Sequence, residues 1–159
     1  AFDAGAVPVI EEGRQIGSNK FSVPENAVLM SKLNPRIPRV WLPKKIPNNS
    51  VCSTEFLVLV PSVGMDRRFL GFLCASETVQ KYMELHAIGT TGSHQRIHPS
   101  IALGAEVMIP RDEDEQSAIV AILSDVGEEM SLIETKLVKA RQIKQGMMQE
   151  LLTGRIRLV

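Results

Sequence analysis

The C-terminal third of the chain constrains the fold most, because it predicts one long helix with a narrow apolar strip. No proline occurs between Glu115 and Thr153. Seam positions recur there in two rows with a seven-residue step, and the rows lie alternately four and three residues apart, as in a coiled coil. The rows contain Ile119, Leu123, Val126, Met130, Ile133, Leu137, Ala140, Lys144, Met147 and Leu151, with Lys144 as the polar member. Because this strip is too narrow for a broad globular core, it predicts a partner helix.

Signals at both ends predict where this helix begins and ends. Asp112 is suited to cap it, with Glu115 three residues later as in a capping box. Gly154 is suited to end it in a left-handed conformation. We therefore predict a spacer and dimerisation helix over residues 112–153, followed by a short tail at 154–159.

Length and charge indicate how the rest of the chain is organised. With 159 residues, the chain is expected to form one domain and an extension. Residues 1–111 contain twelve basic and nine acidic residues, whereas residues 112–159 contain six and nine, so a basic head precedes an acidic helix. No segment has the roughly 18 continuous apolar residues of a membrane span, and no signal peptide is recognisable, so we expect a cytoplasmic protein.

The head, residues 1–111, is predicted to mix strands and a helix. Strands are expected at Ala6–Ile10, Phe21–Val23, Ala27–Ser31, Glu55–Val60 and Ile101–Ile109. A helix is expected at Ser76–Leu85, with Ser76 as its cap. Prolines at positions 35, 38, 43 and 47 favour an extended loop or an edge ribbon. The predicted fold class is α+β: a small mixed domain followed by one long helix that forms a coiled coil.

The proline-rich loop is the first candidate binding segment. It contains five basic residues and no acidic one: Lys32, Arg36, Arg39, Lys44 and Lys45. Such a segment is typical of nucleic-acid binding, because neutralising phosphates releases their counterions. Asn34 in the same loop has a side chain that can read adenine with two hydrogen bonds. The alternative interpretation is an ordinary solvated surface loop.

A second candidate segment runs from Gly89 to Ser100. It offers Ser93, Gln95 and Arg96 as residues that read base edges, since such side chains pair with the exposed edges of bases. Two other chemistries are conceivable here. Ser93 could be a nucleophile with His94 or His98 as its base, although no acid accompanies them. All three histidines, with a cysteine, could form a zinc site, although their spacing matches no common zinc motif.

The sequence otherwise predicts a protein without catalysis of its own. It contains no phosphate-binding glycine loop, no dinucleotide fingerprint and no catalytic carboxylate cluster. The four adjacent acids at Asp112–Glu115 are accounted for by capping. Cys52 and Cys74 both lie in apolar runs and are expected to be buried free thiols. We therefore expect no cofactor and no metal.

Three pieces around the long helix form a recognisable set: Ile109-Pro110, Glu115-Gln116 and KQGMMQELLTGR at 144–155. They resemble the specificity subunits of type I restriction-modification systems. In that family a strand ends in proline before a conserved helix that opens with Glu-Gln and runs into an LLTG ending. GTTGSHQRI at 89–97 is similar to the stretch before the last strand of the family's target recognition domains.

The resemblance implies a function in DNA recognition. A full specificity subunit has two recognition domains and two conserved helices; each domain reads one half of a bipartite site, and the helices set the gap. Methylation and restriction subunits supply the chemistry. With one domain and one helix, this chain is similar to a half-subunit whose recognition domain is incomplete at its N-terminus. Its expected partners are double-stranded DNA, those subunits, and a second copy or other half. The alternative is a coiled-coil adaptor whose basic loops bind a protein.

Overall fold

The chain forms an α+β structure, seen here in a computed structural model that describes residues 11–43, 45–90 and 94–157. Short antiparallel strands come first, and a helix of 40 residues, Glu113–Leu152, follows them. The chain divides into two compact units, one up to Ala118 and one from Ile119 onward. The first turn of the long helix therefore belongs to the first unit. The strand predicted at Ala6–Ile10 lies outside the described residues.

In the part of the chain that the structure describes, five short strands form two antiparallel sheets, after a 3-10 turn at Gly13–Gln15. Strand β1 (Lys20–Ser22) pairs with β4 (Val51–Ser53). In the other sheet β2 (Val28–Ser31) lies between β3 (Val40–Trp41) and β5 (Phe56–Leu59). Because β2 is the central strand and is covered on both faces, its first three residues are all buried.

The two faces of the central strand contribute to two separate apolar clusters, as the alternation of side chains along a strand requires. Met30 packs on one face with buried residues of β5, of the helices and of the loop that follows α2: Leu57, Cys74, Val79, Met83 and Ile97. Leu29 packs on the other face with Val23, Ala27 and Trp41. The first cluster fixes Ile97, whose neighbours form the candidate site described below.

The α-helices of the described residues follow the strands: α1 (Arg67–Ala75), α2 (Glu77–Leu85), α3 (Pro99–Ala102) and α4 (Glu113–Leu152). The Asp66 carboxylate caps α1 by accepting hydrogen bonds from the backbone N–H groups of its first turn, at 2.6 and 3.0 Å. Ser76 separates α1 from α2, because its extended backbone ends the first helix. Its hydroxyl oxygen accepts a hydrogen bond from Val79 N at 3.4 Å and so caps the second helix.

Most elements predicted for the described residues are confirmed. Strands β1, β2 and β5 lie within one residue of their predicted bounds. The proline-rich loop carries β3 at the edge of its sheet, which is the position that prolines allow. Helix α2 begins after Ser76, its predicted cap. The three-residue strand β4 was not predicted, because it is defined by its pairing with the distant strand β1, which no local signal encodes.

The strand predicted at Ile101–Ile109 is wrong. Pro99 instead opens the short helix α3, where its fixed φ and missing N–H suit the first helical turn. The backbone N–H groups of Ile101 and Ala102 both donate to the His98 carbonyl at 3.0 Å. Residues 105–110 have no regular structure. Ile101 and Ala102 in the helical turn and Val107 in the loop pack against the Met30 cluster.

The termini of α4 follow the sequence signals. The Asp112 carboxylate accepts a hydrogen bond from Asp114 N at 3.0 Å, as an N-cap does. Gly154 has a φ of +71°, so the predicted left-handed end of the helix is confirmed. The backbone N–H of Arg155 donates to the Glu150 carbonyl at 3.0 Å across this turn.

Gln116 holds the first turn of α4 within the first unit. Its side chain is 1% exposed and its amide is fully used. The Oε1 atom accepts from Asp66 N at 3.1 Å, while Nε2 donates to the carbonyls of Gly64 and Pro110 at 3.2 and 3.0 Å. One amide therefore satisfies a donor at the start of α1 and two acceptors in the loops beside it. An amide is needed because a carboxylate cannot donate and an amine cannot accept.

We predict that Gln116→Leu destabilises the first unit by about 1–3 kcal/mol, because three backbone groups lose their partner in a largely buried place. Urea unfolding followed by the fluorescence of Trp41, the single tryptophan of the chain, measures this unit. Ser117→Ala, at an exposed neighbouring position, is the control and should leave the midpoint unchanged. Equal midpoints for both variants would contradict the role assigned to Gln116.

Candidate nucleic-acid interface

The first basic segment forms a compact loop closed at its base. Ser31 N donates to the Arg39 carbonyl at 3.0 Å, which joins the two ends of the loop. Within it, Ile37 N donates to the Asn34 carbonyl at 3.0 Å. Asn34 has a φ of +49°, a conformation that asparagine tolerates better than most residues. The backbone of the loop is thus folded, so the positions from which its polar side chains extend are fixed.

The second segment is held by backbone pairing around Arg96. Ile88 N donates to the Arg96 carbonyl at 2.8 Å, and Arg96 N donates to the Ile88 carbonyl at 2.9 Å. Gly89 follows with a φ of +148°. A Cβ atom there would lie 2.9 Å from Gln95 Cα and 3.0 Å from the His94 carbonyl oxygen, so the return strand approaches closely.

Backbone hydrogen bonds join the two segments into one surface. Asn34 N donates to the Gln95 carbonyl at 2.8 Å, and Ile97 N donates to the Lys32 carbonyl at 3.2 Å. Arg96 is bridged to Leu33 on one side and to Ile88 on the other. Three extended stretches therefore lie side by side. We call residues 32–39 together with 94–97 the basic surface.

The basic surface carries four cationic side chains with different local contacts. The ammonium nitrogen of Lys32 lies 5.7 Å from the centre of the Phe21 ring, within the range of a cation–π contact. Arg36 is exposed, and its Nε donates weakly to Asn34 Oδ1 at 3.5 Å. Arg39 donates from Nη1 to the Leu33 carbonyl at 3.3 Å. These contacts leave the side chains at the surface while limiting their conformations.

Arg96 is the member of the four that has an acidic partner among the residues described by the structure. Its Nε lies 2.9 and 3.2 Å from the two carboxylate oxygens of Glu55. Glu55 also accepts a hydrogen bond from Lys32 N at its backbone carbonyl, at 2.8 Å. Glu55 was not predicted from the sequence, because it precedes β5 and no local motif connects it with Arg96. The sequence signal that could have found Glu55 was its position as an acidic residue just before the apolar run of β5.

The structure brings most of the predicted DNA-binding residues together. Six of them lie on the basic surface: Lys32, Asn34, Arg36, Arg39, Gln95 and Arg96. Lys45 lies elsewhere, in the wall of a cavity of about 330 Å³ that it shares with Trp41 and Cys52. Lys44 and Ser93 fall outside the described residues, so their predicted contacts remain predictions.

The histidines take part in local contacts. His86 stacks on the Tyr82 ring with 4.1 Å between centroids, and its Nδ1 lies 2.9 Å from the Tyr82 carbonyl oxygen. His98 Nδ1 lies 2.8 Å from the hydroxyl of Ser100 at the start of α3. In the described ranges no group of three or more His, Cys, Asp or Glu side chains is placed to hold a metal ion. The Ser93 nucleophile alternative involves a residue outside those ranges.

Both cysteines are free thiols, as predicted. Cys74 is buried in the Met30 cluster, and desolvation raises the pKa of its thiol to about 11. Cys52 is partly buried, and desolvation raises its thiol pKa as well. Since the thiolate is the reactive form, neither environment activates a nucleophile at neutral pH.

The unit from Ile119 onward exposes the predicted apolar strip of α4. Val126, Met130 and Ile133 are about half exposed, at 49%, 58% and 55%. Toward the C-terminal end, the apolar surface is continuous over Ala140, Ile143, Lys144, Met147, Met148, Leu151 and Leu152. An exposed apolar stretch of this extent is typical of a surface that associates with another chain.

Comparison with known families and with curated proteins gave no match for this chain. In the ranges described, no helix is both long enough and apolar enough to span a membrane. The candidate site therefore has to be interpreted from its own geometry and from the sequence motifs.

We predict that Gly89→Ala opens the Ile88–Arg96 pair, because the added Cβ meets backbone atoms and the φ of +148° disfavours an L side chain. The strain, of about 1–3 kcal/mol, should accelerate amide hydrogen exchange at Ile88 and Arg96. Gly17→Ala is the matched control, since a Cβ there meets nothing within 4 Å. Unchanged exchange at both amides would contradict the close approach described above.

Proposed function

We propose that this chain is a DNA-reading module without catalysis of its own, a specificity subunit or half-subunit of a type I restriction-modification complex. The observation that carries the proposal is the joining of the two predicted DNA-contacting segments into one basic surface by the Asn34–Gln95 and Lys32–Ile97 hydrogen bonds. A DNA reader needs cations for phosphates beside amides and guanidinium groups for base edges, and this surface has both.

The predicted DNA-contacting side chains of the basic surface fall into two groups in the proposal. Lys32, Arg36 and Arg39, at the loop, contact phosphates and fix the orientation of the protein on the duplex. Gln95, Arg96 and Asn34 meet base edges in the major groove, where amide and guanidinium groups distinguish base pairs. The head then reads one half of a bipartite site.

The long helix acts as the spacer in this proposal. Its exposed strip pairs with the strip of a second copy or of the other half, which sets the gap between two half-sites. The resemblance of the 109–110, 115–116 and 144–155 segments to the conserved helix of specificity subunits supports this role. Methylation and restriction subunits dock on the assembly and supply the chemistry. The proposal implies a cytoplasmic location, beside the host DNA.

We predict specific, salt-dependent DNA binding by the chain assembled with its methylation subunits. The modification pattern of the host genome identifies the bipartite site, and duplexes carrying it serve as the probe. Arg36→Gln should weaken binding and reduce the magnitude of the slope of log affinity against log salt by about 1, because one phosphate contact is lost.

Lys81→Gln is the matched control, because Lys81 is exposed on α2 outside the basic surface and pairs with Glu77. It should leave affinity and slope unchanged. If the assembly binds no duplex carrying the site, the DNA-reading proposal fails. The competing function, a coiled-coil adaptor whose basic loops bind a protein, would then be favoured, since the exposed strip serves both.

We predict that the helix strip mediates self-association. Ile133→Glu places a charge near the middle of the strip and should shift the complex to a smaller species in sedimentation velocity, because burying an unpaired charge is costly. Leu132→Glu is the matched control: it is adjacent, 61% exposed and outside the strip. It should sediment like the wild type. If both variants sediment as the smaller species, or if neither does, pairing through this strip is contradicted.

A further inference from the structure

The Glu55–Arg96 ion pair has a geometry that selects one edge of the guanidinium group. Arg96 Nε donates to both carboxylate oxygens, and Nη1 donates weakly to the His94 carbonyl at 3.5 Å. A guanidinium group has five N–H donors in a planar fork. Among the described residues Nη2 has no hydrogen-bond acceptor. N–H donors therefore remain on the edge of the guanidinium group that the two terminal nitrogens form.

Both partners start from fixed backbone positions. Arg96 is paired through its backbone to Ile88 and bridged to Leu33. The next residue, Ile97, is buried in the Met30 cluster, so alternation along the extended segment points Arg96 outward. Glu55 is held by two hydrogen bonds: its carbonyl accepts from Lys32 N, and its own N–H donates to the Ser53 hydroxyl oxygen at 3.3 Å.

Stability does not account for this pair. The side chains of Arg96 and Glu55 are 51% and 38% exposed, and solvent screens the attraction in such pairs to near nothing. The pair also cancels a positive charge on a surface that otherwise attracts phosphates. The contact with Glu55 restricts the long Arg96 side chain to a narrow range of rotamers. This restriction lowers the conformational entropy that Arg96 loses when it later makes a bidentate contact with DNA.

We infer that Glu55 is a positioning residue that orients the Arg96 guanidinium so that its terminal nitrogens read a guanine at one position of the half-site. Guanine presents O6 and N7 as paired acceptors in the major groove, which match two parallel N–H donors. This inference rests on the proposed function and deepens it, because it assigns a base to one residue. A phosphate also accepts two parallel N–H donors, so the sequence dependence of binding is what separates a guanine contact from a phosphate contact.

The test compares variants in the assembled complex on a duplex library in which every position of the half-site is varied. Arg96→Gln should lower the preference for guanine at one position by about 5- to 150-fold, the range for one bidentate contact. Glu55→Gln should lower the preference at the same position by at least about threefold, with the salt slope unchanged. Glu25→Gln, at an exposed acid in the turn before β2, is the control and should change neither.

A second variant, Arg96→Lys, keeps the inference testable if Glu55→Gln does not fold. Arg96→Lys keeps the positive charge but lacks the planar fork, so it should lose the same guanine preference while keeping the salt slope. Thermal unfolding of each variant shows that the fold persists.

Two other results would contradict the inference. If Glu55→Gln strengthens binding to all sequences alike and makes the salt slope steeper by about 1, Glu55 only cancels charge and Arg96 contacts a phosphate. That result overturns the inference and leaves the proposed function intact. If the wild-type complex shows no sequence preference at all, the proposed function and the inference fail together.

Discussion

The backbone pairing between residues 32–34 and 95–97 is the contact on which the candidate site depends. Ile97 is 2% exposed and belongs to the Met30 cluster, so hydrophobic burial fixes its place in the fold. Its N–H donates to the Lys32 carbonyl, which brings the proline-rich loop alongside. The residue on each side of a buried strand position faces outward. Burial of one isoleucine therefore exposes Arg96 and joins it to the loop cations.

Local arrangement, and not net charge, determines what this surface attracts. The whole chain has a formal charge of zero. Phosphate binding depends on cations within a few ångströms of the ligand, because salt screens interactions beyond about 10 Å at 0.1 M. The basic surface contains four cations, of which Arg96 is paired with Glu55. An exposed pair contributes little to stability, so it is better understood through the orientation that it imposes on Arg96.

The sequence predicted the elements of this protein better than their assembly. Local signals sufficed for the caps at Ser76 and Asp112 and for the helix end at Gly154, because each acts within one turn. The strand predicted at Ile101–Ile109 is wrong because an apolar run does not distinguish a strand from a helical turn and a loop packed on a core. The pairing of Arg96 with Glu55 was beyond reach, because it joins residues 41 positions apart and nothing local encodes it.

The proposed spacer also gives a physical reason for Lys144 within an otherwise apolar strip. An apolar seven-residue repeat pairs almost equally well after a slip of one repeat. Such a slip moves one helix along the other by about 10.5 Å, which corresponds to about three base pairs of duplex DNA. A bipartite reader would then recognise the wrong gap. One polar residue in the strip costs some stability but makes the slipped register worse, because the lysine would face apolar side chains. The helix pair would therefore need a fixed register more than it would need high affinity.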